Sequence, residues 1–90
     1  MILELSPPAE ADLERIFEFN LQRSLEWADK VERRLLERAN GFLAAPAIGR
    51  SMQRSRVRRL SVPDIQYVID YRAEVDRIRV LRIYSTREIR

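Results

Sequence analysis

The chain has 90 residues, 46% of them hydrophobic, with no cysteine, no histidine and a formal net charge of +3. That length supports one modest core, so a single domain over residues 1–90 is expected. The missing residue types exclude disulfides, thiolate nucleophiles, ordinary zinc clusters and the side chain best matched to proton transfer near neutrality, and no metal or cofactor is expected.

"ILEL" at residues 2–5 alternates weakly and reads as a short strand. In "SPPAEADLERIFEFN", Ser6 is placed to cap a helix, and prolines fill its first positions, where a missing N–H is harmless. Glu10, Asp12 and Glu14 meet the positive end of its dipole. Leu13, Ile16, Phe17 and Asn20 share a face with Ala9 one turn earlier, so this helix runs from about Pro7 to about Arg23, with Asn20 weakening the apolar stripe. Ser24 caps a second helix, in which Ala28, Val31, Leu35, Ala39 and Phe42 recur at spacings of three and four, with a stop expected at Pro46. A short connection makes the pair an antiparallel hairpin.

After "PAIGRSMQ" the period changes to two. "RVRRLSV" before Pro63 reads as a strand, with Arg54, Arg56 and Arg58 pointing one way and Val57 with Arg59 the other. "IQYVIDYR" follows, with Ile65, Tyr67, Ile69 and Tyr71 on a buried face, where both tyrosines are expected to pack in the core. Asp70 and Arg72 lie on the opposite, polar face, where solvated pairing with residues across the strands is expected. Residues 73–76 are short enough for a hairpin loop into "RIRVLRIY". There Ile78, Val80 and Tyr84 share one side while Leu81 and Ile83 lie on the other, so either both faces are covered or the strand is bulged. The expected fold is α+β in the order β-α-α-β-β-β, a helical hairpin packed on an antiparallel sheet.

No apolar run approaches the roughly 18 residues that span a bilayer, and "MILELS" lacks a signal-peptide layout, so a soluble cytoplasmic protein with no membrane partner is expected. The charge is unevenly placed: residues 1–45 carry six basic and nine acidic side chains, and residues 46–90 carry eleven and five. Sixteen of the seventeen cations are arginine, whose planar fork suits phosphate or carboxylate. Four like charges within "RSRVRRL" repel one another, which favours an anionic partner there.

"LSPPAEADLERIFEF", "PAIGR", "YVIDYR" and "DRIRVLRIYSTRE", in this order and spacing, resemble the RelE/ParE superfamily of bacterial type II toxins, more closely its ParE branch. The resemblance covers nearly the whole chain and implies a toxin neutralised by a cognate antitoxin with an acidic or amphipathic C-terminal segment. In the ParE branch such a toxin binds and inhibits DNA gyrase; in the RelE branch it is a ribosome-dependent mRNA endonuclease. For the second activity Arg54, Arg56, Tyr84 and Arg87 are the candidates, but Val68 stands where the branch has a strand arginine, and Tyr84 where histidine is common. A tyrosine with an ordinary pKa near 10 is a poor base, so the ParE-like gyrase inhibitor is the main reading, the metal-independent endoribonuclease the alternative, and a basic nucleic-acid-binding or adaptor domain a third. Arg50, Arg54, Arg56, Arg58, Arg72 and Arg87 are expected to contact the target. Off-stripe Phe19 and Trp27, with Leu81 and Ile83, are expected to contact the antitoxin.

Overall fold

In a computed structural model, which describes residues 1–52 and 55–88, two helices pack on one face of a five-stranded mixed sheet. The elements are β1 (Ile2–Leu5), α1 (Pro7–Leu21), α2 (Leu25–Asn40), β2 (Arg50–Ser51), β3 (Arg58–Val62), β4 (Tyr67–Ala73) and β5 (Arg77–Ser85), with short 3-10 turns at Gly41–Leu43 and Thr86–Glu88. The sheet order is β1-β5-β4-β3-β2. The β3–β4–β5 meander is antiparallel as the alternation implied, whereas β1 joins β5 in parallel.

Both helices start where the serines place them. The Ser6 hydroxyl accepts from the Ala9 N–H at 3.2 Å and the Ser24 hydroxyl from the Trp27 N–H at 3.0 Å. The regular part of α2 ends at Asn40, before the expected stop at Pro46, and the 3-10 turn carries Phe42 into the core. Ile16, Val31, Leu35, Ala39 and Phe42 meet Tyr67, Ile69, Tyr71, Ile78, Val80 and Ile83 in one buried cluster. Each large apolar side chain so buried contributes about 1.5–3 kcal/mol.

Regular alternation places Ile83 on the outer face; of the two arrangements the sequence leaves open, the structure has the bulge. A register shift between Asp70 and Tyr71 pairs Asp70 with Arg82 but Tyr71 with Val80, leaving Leu81 as an extra residue in β5. The bulge reverses the alternation, so Ile83 rejoins Ile78 and Val80 on the helix side and is only 3% exposed. Ile83 therefore packs in the core and is not at the surface where an antitoxin contact was expected, while Leu81 is half-buried.

β1 stops at Leu5, level with Val80, so the remaining edge of β5 needs other partners. α1 supplies them: the Ser6 N–H donates to the Val80 carbonyl, the Ser6 hydroxyl to the Leu81 carbonyl, and the Asp12 carboxylate accepts from the Ile83 N–H at 2.9 Å. Asp12 also takes two hydrogen bonds from Arg82, at 2.7 and 3.0 Å, and one from Arg15. Burial alone would raise its pKa, but these hydrogen bonds and the Arg82 charge outweigh it and hold the carboxyl below the usual range. A residue that reads locally as a dipole-facing acid is therefore a tertiary strut.

Candidate functional site

A cleft of about 790 Å³ opens at the end of the helical hairpin. Its walls include Arg15, Phe19, Trp27, Gln66 and Arg87. Phe19 is 62% exposed because it lies off the Ile16–Asn20 stripe that faces the sheet. Asn20, the residue that weakens that stripe, is buried and organises the floor: its amide nitrogen donates to the Ile16 carbonyl at 2.8 Å and the Tyr67 hydroxyl at 3.0 Å. Its amide oxygen accepts from the Trp27 indole N–H at 2.9 Å. Trp27 is thus fixed in orientation, with the Arg23 guanidinium 4.3 Å from its ring centroid.

The far wall of the cleft is the turn between β3 and β4, where Gln66 holds φ 62°. That left-handed conformation disfavours a side chain by about 1 kcal/mol or more. The Gln66 carbonyl accepts from the Thr86 N–H at 2.9 Å, which ties the C-terminal turn and the exposed Arg87 to this wall. Arg15, Arg23 and Arg87 line the cleft, where Asp64 is the one lining carboxylate among the described residues and is itself paired with Arg34 at 2.8 Å. The lining combines exposed aromatic area with positive charge.

A second surface lies at the β2–β3 edge. Gly49 enters it through a close approach to Tyr71: a Cβ there would sit 2.7 Å from the ring, and the Tyr71 hydroxyl accepts from the Gly49 N–H at 2.8 Å. The same hydroxyl donates to the Pro46 carbonyl at 2.8 Å, and the ring stacks on Phe42 with centroids 3.8 Å apart. The pinned loop positions Arg58, whose guanidinium donates to the Gly49 carbonyl at 2.9 Å. Arg50 and Arg56 are exposed and form no ion pair among the described residues. Arg56 lies just outside β3 rather than within the strand expected there, and Arg54 falls outside the described residues.

The outer sheet face holds Tyr84, with Arg82 5.2 Å and Arg59 5.9 Å from its ring centroid. Arg59 is held by two hydrogen bonds to Asp70, at 2.6 and 2.9 Å. Asp70 therefore pairs across the strands, with Arg59 directly opposite it, but at 7% exposure the pair is shielded and not solvated as expected. Arg72 pairs with Glu74.

The residues expected to act together are therefore dispersed. Phe19, Trp27 and Arg87 share the cleft; Arg50, Arg56 and Arg58 gather at the β2–β3 edge; Tyr84 lies on the outer face and Ile83 in the core. The register sets the first two groups apart along the strands, since Val62 and Ser85 flank Tyr67 at the cleft end and Arg58 faces Tyr71 toward the other. Asn20, Gln66 and Asp12 were not anticipated as site-building residues. A polar residue on an apolar helical stripe was the one available signal, for Asn20.

A family model described as the ParE toxin of type II toxin–antitoxin system, parDE, matches residues 3–90. Among solved structures, a chain of the chromosomal ParDE TA system from P. aeruginosa is similar, with a TM-score of 0.82 and 25% identity, covering 94% of this chain and 95% of that one. No curated protein matches the chain in sequence.

Proposed function

Because the chain belongs to the ParE toxin family of type II toxin–antitoxin systems, we propose that it inhibits DNA gyrase by direct binding in the cytoplasm and is neutralised by a cognate antitoxin. The observation that carries a binding mechanism over a cleaving one is the pairing around Tyr84. RNA cleavage requires cations to meet the charge developing on the phosphorane and a group to accept the 2′-hydroxyl proton. Here Arg59 and Arg82 are each committed to a carboxylate, Asp70 and Asp12 respectively. Inhibition by contact needs no proton acceptor, which suits a chain without histidine.

The cleft suits the antitoxin. An amphipathic acidic segment can set apolar side chains on Phe19 and Trp27 and carboxylates toward Arg23 and Arg87. The test adds purified protein separately to a gyrase supercoiling reaction and to translating ribosomes. Supercoiling is expected to fall with toxin and to recover with antitoxin, while message stays intact. Gyrase left fully active at large toxin excess overturns the reading, and message cleavage abolished by Arg87→Ala replaces it with the endonuclease.

A further inference from the structure

We propose that the β2–β3 edge is a sequence-independent contact for the phosphate backbone of duplex DNA, separate from the cleft. Residues 38–63 carry six arginines and no acidic residue. One carboxylate from elsewhere reaches this segment among the described residues, Asp70, and it neutralises Arg59 alone. Arg50, Arg56 and Arg58 remain as an uncompensated cluster.

Geometry makes that cluster a rim. Arg50 stands opposite Arg59 and Ser51 opposite Arg58, so Arg50 and Arg58 leave neighbouring strands on opposite faces of the sheet. The Met52 N–H donates to the Val57 carbonyl at 2.9 Å, closing the hairpin and placing Arg56 beyond the paired strands. A rim with cations on both faces matches a line of negative charges better than one carboxylate. The loop pinned by Tyr71 and the Arg58 bond to the Gly49 carbonyl hold Arg58 in place before any ligand arrives.

Composition separates this partner from the one in the cleft. Residues 47–61 contain no aromatic side chain, so nothing there provides the stacking platform that single strands use. Ile48 is the one large apolar side chain exposed on that segment among the described residues, which leaves no protein hot spot of the kind Phe19 and Trp27 make. What remains is arginine aimed at phosphate, and three contacts of this type bind weakly and with strong salt dependence. The inference does not depend on gyrase being the target, since it concerns DNA alone.

The experiment titrates the protein into a short fluorescein-labelled DNA duplex of arbitrary sequence and follows anisotropy over a range of salt. A dissociation constant of about 10–100 µM near physiological salt is expected, with log K falling against log salt at a slope of about −3. Arg50→Gln with Arg56→Gln alters two exposed side chains and is expected to weaken binding at least tenfold and reduce the slope by about 2. Trp27→Ala is expected to leave the DNA affinity within twofold. No binding at low salt, an unchanged slope in the double variant, several-fold tighter binding of the single strand, or equal competition by poly-glutamate would each overturn the proposal. Failure of the gyrase reaction with duplex binding intact would overturn only the gyrase reading.

Discussion

The cleft and the β2–β3 edge are both organised from β4, by two tyrosines on the same face four residues, or about 13 Å, apart. Tyr67 gives its hydroxyl to the Asn20–Trp27 network, and Tyr71 gives its own to the loop at Pro46 and Gly49. In both cases a core aromatic carries a polar tip to the rim of the sheet and fixes what lies outside. What lies at the two ends differs: an indole beside an exposed phenyl ring at one, and guanidinium groups with no ion pair among the described residues at the other. Rigid aromatic area favours a protein segment, whereas charge without apolar area favours a polyanion, so one small fold presents two surfaces of different chemistry.

The strongest way to break this division is at Gly49. Gly49→Ala forces a methyl group against the Tyr71 ring and is expected to cost about 3 kcal/mol, read as a lowered denaturant midpoint. Under conditions where the variant is folded, DNA binding is expected to fall while antitoxin binding persists. Equal loss of both would mean that the two ends are one coupled surface.

Trp27→Ala tests the opposite end, with an expected loss of about 100-fold in antitoxin affinity by calorimetry, in the range of an interface hot spot. The arginine double variant is expected to stay within about threefold of wild type in the same measurement, as rim charges do. An antitoxin that tolerates Trp27→Ala would remove the cleft from its footprint.

The smallest expected effect concerns the strut between α1 and β5. Asp12→Ala leaves the buried Ile83 N–H without its acceptor and is expected to cost about 2 kcal/mol. The folded-state pKa of Asp12 lies below its unfolded value, so its contribution is complete above the ordinary carboxylate range and disappears as pH falls through the folded value. Denaturation series from neutral to strongly acid pH are expected to show a shallower acid loss in Asp12→Asn than in wild type. Identical acid limbs would show that Asp12 contributes no such linkage.

Much of the fold is legible in the chain because its signals are local. Ser6 and Ser24 mark both helix starts within three residues of the N–H groups they accept from, and the apolar periods of 3.6 and 2 separate helices from strands. The resemblance in "DRIRVLRIYSTRE" and its companions likewise needed only order and spacing. Tertiary structure decided everything that depends on partners distant in sequence. Nothing near Arg59 distinguishes it from Arg58, yet register sets one against Asp70 and the other beside the Gly49 carbonyl. Asp12 finds Arg82 seventy residues away, and a single extra residue at Leu81 moves Ile83 from the outer face to the core. Local propensity and periodicity are properties of adjacent residues, whereas strand register and charge pairing exist only once the layers have packed, and so the arginine-rich stretch and the Phe19–Trp27 pair, each marked in the sequence, acquired their supports and their separation only in three dimensions.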